Sequence, residues 1–370
     1  MNYYIIAGEA SGDLHGSNLI REILKLDFHA NVRGWGGEKM SKAGATIVKD
    51  YKELAFMGFS EVIKNLPTIL KNLKFCKDDI ELFKPDVLVL IDYPGFNLRI
   101  AGWAKKKGIR VIYYISPQIW AWKENRVKQI KLNVDLMLVI LPFEKGFYAN
   151  HGYNVEYVGH PLVEVIENEK KKPLTKLSKK PIIALLPGSR KQEIKRKLPV
   201  MLEASKSFPD YEFIVARAPG LPNSYYHAFM ESYQNVKGVS DHTYSLLRQA
   251  KAALVTSGTA TLETALFGVP EVVCYKAGNI SYQIGKRLIK IKFISLVNLI
   301  MDKLVVKELI QNQFNAENIA TELNIITTDE KVITRIRKEY SQLKDLLSKG
   351  GNASANAAKV IYDFINVLKV

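Results

Sequence analysis

Residues 3–13 read Tyr-Tyr-Ile-Ile-Ala-Gly-Glu-Ala-Ser-Gly-Asp (YYIIAGEASGD). The run from Tyr3 to Ala7 has no charged break and stops at Gly8. Past Asp13 comes Ser17–Leu26, in which Leu19, Ile20, Ile23 and Leu24 share one helical face. A continuous apolar run predicts a parallel strand covered on both faces, and the 3.6-residue period predicts a helix laid across it. Strand, glycine-bearing turn and helix in this order open a doubly wound α/β domain.

The unit recurs. Asn31–Gly34, Asp86–Ile91, Arg110–Ile115, Asp135–Ile140 and Val155–Gly159 read as further strands, with a helix over Asn97–Lys107. Val165–Lys180 (VIENEKKKPLTKLSKK) then breaks the rhythm with lysines and Pro173 and predicts an exposed connection. The alternation restarts with a strand at Pro181–Leu186 and a helix near Glu193–Ser207. Strands follow at Glu212–Ala216, Ala252–Thr256 and Glu271–Tyr275. From Thr328 the pattern is helical, interrupted at Gly350-Gly351-Asn352 before a last helix near Ser354–Leu368.

The expected fold class is therefore α/β. Two Rossmann-like, doubly wound domains are expected at 1–168 and 169–351. A helix over 352–370 then packs back on the first domain or on a partner, where it would join a homodimer. A chain of 370 residues suits two domains. Open α/β sheets bind ligands beyond the carboxyl ends of their strands, so both halves are expected to aim loops at one cleft.

Hydrophobic residues make up 47% and charged residues 24%, enough apolar material for two cores. Cys76 and Cys274 stand alone, which argues against a disulfide framework and fits a reducing, cytoplasmic setting. No basic stretch precedes an apolar run at Met1–Gly8, and no apolar stretch is long enough to span a bilayer. The formal charge of +16 either attracts something anionic (a phosphorylated substrate, phospholipid headgroups or nucleic acid) or only keeps a lysine-rich protein soluble. The lysines are dispersed and no nucleic-acid module is present, so nucleic acid is not expected as a partner.

Five strand-end loops carry chemistry. In Gly8–Asp13, glycines let the backbone approach a ligand at a helix start, while Ser11 and Asp13 equally suit capping that helix. Glu9 stands where the strand ends, without an evident structural task. The spacing is not GxGxxG, which argues against a nicotinamide site. In IDYPGFN (residues 91–97), Asp92 either removes a proton from an attacking hydroxyl or bonds the amides of its own turn. In SPQIWAWK (116–123), Trp120 and Trp122 lie near Arg126, Lys128 and Lys131. The indoles either meet sugar rings and a lipid interface or pack a hydrophobic turn.

The other two loops open onto the second half. In LPGSR (186–190), the amides of Gly188 and Ser189 with Arg190 form a diphosphate cradle, or else only a turn. In TSGTATLE (256–263), Ser257, Gly258 and Thr259 bring small residues to a helix start. Glu263, one turn in, either accepts from a ribose diol or favours the helix dipole.

GEASGD, IDYPGFN, SPQIWAWK, LPFEKGFY, VGHP, LPGSR, SGTATLE and SLVNLI occur in this order from about Tyr3 to Leu309. Together they resemble the lipid-A-disaccharide synthase family (glycosyltransferase family 19). The resemblance implies a GT-B-type fold and an inverting transfer from UDP-2,3-diacylglucosamine to 2,3-diacylglucosamine 1-phosphate (lipid X), with no metal and no other cofactor. It implies Asp92 as the catalytic aspartate, and Arg190, Glu263 and Asn298 as residues tied to UDP. Glu9 and Ser11 match the first glycine-rich loop. Gly95 stands where some family members carry a second acid, so Asp92 would act without that neighbour. Acylated substrates imply work at an anionic phospholipid surface, on the inner face of the inner membrane of a Gram-negative cell.

Glu61–Phe75 suits that surface. Val62, Ile63, Leu66, Ile69, Leu70 and Leu73 fall at helical spacing with Lys64, Lys71 and Lys74 elsewhere, and Pro67 either breaks or starts the helix. The same stripe equally suits packing on the sheet. A UDP-N-acetylglucosamine 2-epimerase, or a GT-B enzyme with a soluble acceptor, shares the two-domain plan and a UDP site.

Overall fold

The computed structural model describes residues 1–54, 66–122, 124–278, 282 and 292–367. The chain divides into two units, Met1–Pro161 with Leu347–Val370, and Leu162–Leu346.

Among its described residues unit 1 is built on seven strands: β1 (Asn2–Ala7), β2 (Asn31–Gly36), β3 (Thr46–Asp50), β4 (Val87–Ile91), β5 (Val111–Tyr114), β6 (Leu136–Val139) and β7 (Glu156–Tyr157). They lie in the order β3-β2-β1-β4-β5-β6-β7, every neighbour parallel. Among its described residues unit 2 has six: β8 (Ile182–Leu186), β9 (Glu212–Arg217), β10 (Val236–Ser240), β11 (Ala250–Thr256), β12 (Glu271–Tyr275) and β13 (Lys307–Ile310). Their order, β10-β9-β8-β11-β12-β13, is again all parallel. Both sheets therefore wind outward in two directions from a central pair, as doubly wound domains do.

The continuous apolar runs are the central strands. Ile5, Ile6, Val87, Leu88, Val89, Leu90 and Ile91 are fully buried, as are Ile183, Ala184 and Leu185 in unit 2. Each fully buried Ile, Leu or Val of this kind contributes roughly 1.5–3 kcal/mol. The sequence reading misses β3, β10 and β13. All three are sheet edges, where the strand is only partly covered and the sequence lacks a long apolar run.

Val165–Lys180 is less of a free connection than expected. Its first residues belong to the helix Pro161–Lys170, because Leu162 and Ile166 are buried; the exposed stretch begins only at Lys171. Of the predicted amphipathic stripe, Val62 and Ile63 lie outside the described residues, as does the side chain of Leu66. The helix runs Leu66–Phe83, so Pro67 sits in its first turn, where a missing amide hydrogen costs nothing. Leu73 is buried and Ile69 packs on the unit 1 core, whereas Leu70 and Phe75 are exposed beside Lys71 and Lys74.

The last helix, Ala353–Val367, packs on the first helix of the same chain, Ala10–Leu26. Asn356 Nδ2 donates to Val158 O at 3.1 Å and Arg110 Nη1 to Ile365 O at 3.2 Å. Among the described residues no helix is long and apolar enough to cross a membrane.

Candidate active site

The strand order of each sheet reverses at a central pair, and the crevice beyond such a pair is where open α/β sheets take ligands. In unit 1 that pair is β1 and β4, with Ala7 level with Ile91, so Gly8-Glu9 lies beside Asp92. In unit 2 it is β8 and β11. Val255 is level with Leu186, which sets Pro187–Arg190 beside Thr256–Thr259.

Asp92 and Tyr93 are consecutive non-glycine residues in the left-handed region, at φ +45° and +47°. Such residues cost of order 1–3 kcal/mol each and persist only where surroundings fix them. The buried Asn97 does so: its Nδ2 donates to Ile91 O at 3.2 Å and to Asp92 O at 2.8 Å. The Tyr113 hydroxyl donates to the same Asp92 carbonyl. The turn also needs Gly8, because a Cβ there would lie 2.3 Å from a Tyr93 ring carbon. Burial pushes the Asp92 carboxyl up to about 7, and the neighbouring Glu9 charge adds to the effect. A carboxyl that exchanges its proton near neutrality suits general-base work.

The rest of the first loop divides by role. Ser11 is exposed in the first turn of the helix Ala10–Leu26. Asp13 is buried and caps a different helix from its own. Its Oδ1 accepts from Gly37 N at 2.8 Å and Met40 N at 3.0 Å, and its Oδ2 from Lys39 N at 3.2 Å, at the start of Glu38–Lys42. His15 and His160 are both buried, and burial lowers them to about 4 and about 3. Both imidazoles are neutral at physiological pH.

The expectation of a lipid- or sugar-facing Trp120 is corrected. Its indole is buried, donates from Nε1 to Glu144 Oε1 at 3.2 Å and meets Phe143 edge-on at 4.9 Å. Glu144 Oε2 in turn accepts from Leu141 N at 2.9 Å. An indole N–H turned inward finds a partner there, so the aromatic turn packs the core. The side chain of Trp122 lies outside the described residues.

In unit 2, Gly188 has φ +114°, and a Cβ there would meet Glu193 Oε2 at 2.3 Å. Ser189 is exposed, and Arg190 begins the helix Lys191–Ser205 with its guanidinium 3.9 Å from Glu193 Oε1. Gly258 precedes the helix Thr259–Leu266, and helix starts of this kind, here beside the exposed Thr259, suit anions. The Ser257 hydroxyl donates to Ile294 O at 2.7 Å. Glu263 accepts from the Tyr244 hydroxyl at 2.7 Å, and burial raises its carboxyl above the ordinary carboxylate range.

Asn298 is corrected as a nucleotide contact. It is fully buried and its amide is used up: Nδ2 donates to Val306 O and Glu308 Oε1, each at 2.9 Å, while Oδ1 accepts from Val305 N and Val306 N. Its place is one step back. Glu308 also accepts from Ile294 N and Ser295 N, so Asn298 and Glu308 fix the segment that holds Ser257.

Sequence reasoning missed Lys197. It sits in the charged run KQEIKRK, where every lysine looks solvated. The available signal is the helical period: Ile194, Lys197, Leu198 and Met201 share the inward face, and all four are buried.

A family model described as lipid-A-disaccharide synthetase matches residues 3–362. A lipid-A-disaccharide synthase of Syntrophus aciditrophicus is 40% identical over 368 residues, covering 96% of this chain and 96% of that one. Another, of Nitrosococcus oceani, is 40% identical over 357 residues, covering 94% and 92%. Among solved structures, the glycosyltransferase of kitacinnamycin matches with a TM-score of 0.69 at 14% identity, covering 98% of each chain. The UDP-GlcNAc 2-epimerase of Neisseria meningitidis, solved bound to UDP-GlcNAc, matches at 0.65 and 14% identity over 100% of each. At these identities the structural likeness is one of fold, shared by a transferase and an epimerase.

Proposed function

The chain belongs to the lipid-A-disaccharide synthase family of glycosyltransferases, and we propose that it joins UDP-2,3-diacylglucosamine to 2,3-diacylglucosamine 1-phosphate (lipid X). The products are a β-1,6-linked disaccharide 1-phosphate and UDP. Its two Rossmann-like sheets are those of GT-B enzymes, and family membership separates it from the epimerases that share them.

Asp92, as carboxylate, takes the proton of the acceptor 6-hydroxyl as that oxygen attacks C1 of the donor. The bond from C1 to the diphosphate oxygen breaks on the opposite face, which inverts the anomeric centre. UDP departs with its diphosphate held by the Gly188 and Ser189 amides, the helix start at Ser257–Thr259 and Arg190. Glu263 holds the ribose while Tyr244 steadies it. Glu9 keeps the proton affinity of Asp92 high, and Ser11 contributes at the edge of the same loop. The observation that carries the reading is the position of Asp92: strained, fixed by Asn97 and Tyr113, and raised to about 7 at the β1–β4 switch point.

Both substrates carry fatty acyl chains, so the enzyme works peripherally on the cytoplasmic face of the inner membrane. The +16 charge supports attraction to anionic headgroups, and exposed Leu70 and Phe75, flanking Lys71 and Lys74, supply an apolar and basic contact. The test is turnover in detergent micelles with EDTA, following UDP and disaccharide together. Disaccharide formed in step with UDP is the expected result. UDP without disaccharide would assign a different acceptor, and no turnover by folded protein would overturn the reading.

A further inference from the structure

Lys197 lies on the second turn of the helix that follows the LPGSR loop, and it is almost fully buried. Its ammonium donates to the hydroxyl of Thr256, the last residue of β11 and the one before Ser257-Gly258-Thr259. It also stands 5.8 Å over the ring of Tyr275, which ends β12. Among the described residues no carboxylate lies within ion-pair distance of it. A buried ammonium with one neutral hydroxyl for a partner is an expensive arrangement that packing alone does not require, since a methionine fills similar space without the desolvation.

The surroundings point to what offsets that cost. Arg190, just before the same helix, and Arg196, on it, are near enough to repel Lys197, and Glu193 is the carboxylate near enough to attract it. From β11 the group that faces it is Thr256, and from β12 Cys274 and Tyr275. Among the described residues, the Lys197 ammonium beneath these two loops of small residues has only the longer-range attraction of Glu193 and no paired negative charge. A diphosphate supplies it.

We propose that Lys197 is a positioning residue of the donor site: it holds Thr256 at the end of β11 and supplies, from beneath, charge that retains the diphosphate of the nucleotide. The proposal rests on the reading of unit 2 as the donor site. Burial lowers the lysine's proton affinity in the free protein, and a bound diphosphate restores it, so binding at alkaline pH takes up a proton.

The test is calorimetric titration of the intact protein with UDP and with uridine, comparing wild type, Lys197→Met and Arg190→Ala. Lys197→Met is expected to weaken UDP roughly tenfold or more. It should leave uridine unchanged, abolish proton uptake and melt at or above the wild-type temperature. Should that variant not fold, Thr256→Val keeps the lysine and removes its hydrogen-bond partner, and it is expected to weaken UDP by a smaller factor with uridine again unchanged. If Lys197→Met, or Thr256→Val in its place, binds UDP as wild type does while Arg190→Ala binds it poorly, the donor site stands and the role of Lys197 is overturned. Parallel loss of UDP and uridine with a lowered melting temperature makes Lys197 structural, which also overturns it. Absence of UDP binding by the wild type overturns the donor-site reading itself.

Discussion

The crevices beyond β1–β4 and β8–β11 are built on one strand order and carry opposite charge. In unit 1 the loops bring together Glu9 and Asp92, and burial, followed by the charge of Glu9, raises the proton affinity of Asp92. In unit 2 the equivalent position brings Arg190 and Arg196 close to Lys197, with Glu193 as the carboxylate that attracts it. The switch point supplies the place and the free backbone amides; side chains supply the sign. A base needs a proton affinity near ambient pH, which burial beside a like charge provides. A departing diphosphate needs fixed positive charge, which is useful only when it is already in place.

The largest effect is expected at the acidic crevice. Asp92→Asn should lower kcat by about 10²–10⁴-fold with the fold kept. In the wild type, kcat/KM should climb with pH through about 7 and level off above it. The sign for stability runs the other way. The folded carboxyl holds its proton up to about 7, against 3.8 ordinarily, so the stability it confers is full below the lower value and is lost as pH rises through the upper one. At mildly alkaline pH the asparagine variant should therefore melt at or above wild type, and a much lower melting temperature would place Asp92 among structural residues.

At the cationic crevice, Arg190→Ala should lower kcat/KM about 10–100-fold. Its guanidinium is 55% exposed, so chemical denaturation should change by less than about 0.5 kcal/mol. A large stability loss would erase the distinction between a binding and a structural cation. Asp13→Ala tests the boundary of the acidic site. It leaves three backbone amides without their acceptor and should cost about 1–3 kcal/mol in urea denaturation, with donor KM unchanged. The smallest effect belongs to Glu9→Gln. Burial is the larger cause of the Asp92 shift, so the acidic limb of the rate profile should move down by about half a pH unit. No movement would detach Glu9 from Asp92.

Much of this was legible. The central strands announced themselves because both faces are covered, and the loops after them followed from the turn residues at their ends. Asp92 was legible by position, whereas its strain and its supports Asn97 and Tyr113 were not. Asn298 and Trp120 show the limit of motif position: each lies in a motif of the resemblance, yet each is buried and its polar atoms are taken by the protein. Asp13 suits either a ligand loop or a cap on its own helix by sequence, and it caps another helix instead.

The sequence by itself determined two series of parallel strands and the loops at their ends, because apolar runs and glycine turns act within a few residues. Only the tertiary structure decided which of those residues are available for chemistry. Lys197 meets Thr256 across 59 positions, Asp13 meets Gly37 across 24, and Asp92 owes its proton affinity to burial and to Glu9 on another strand's loop. Burial and charge are properties of what surrounds a group in space, and the chain order does not contain them until it is folded.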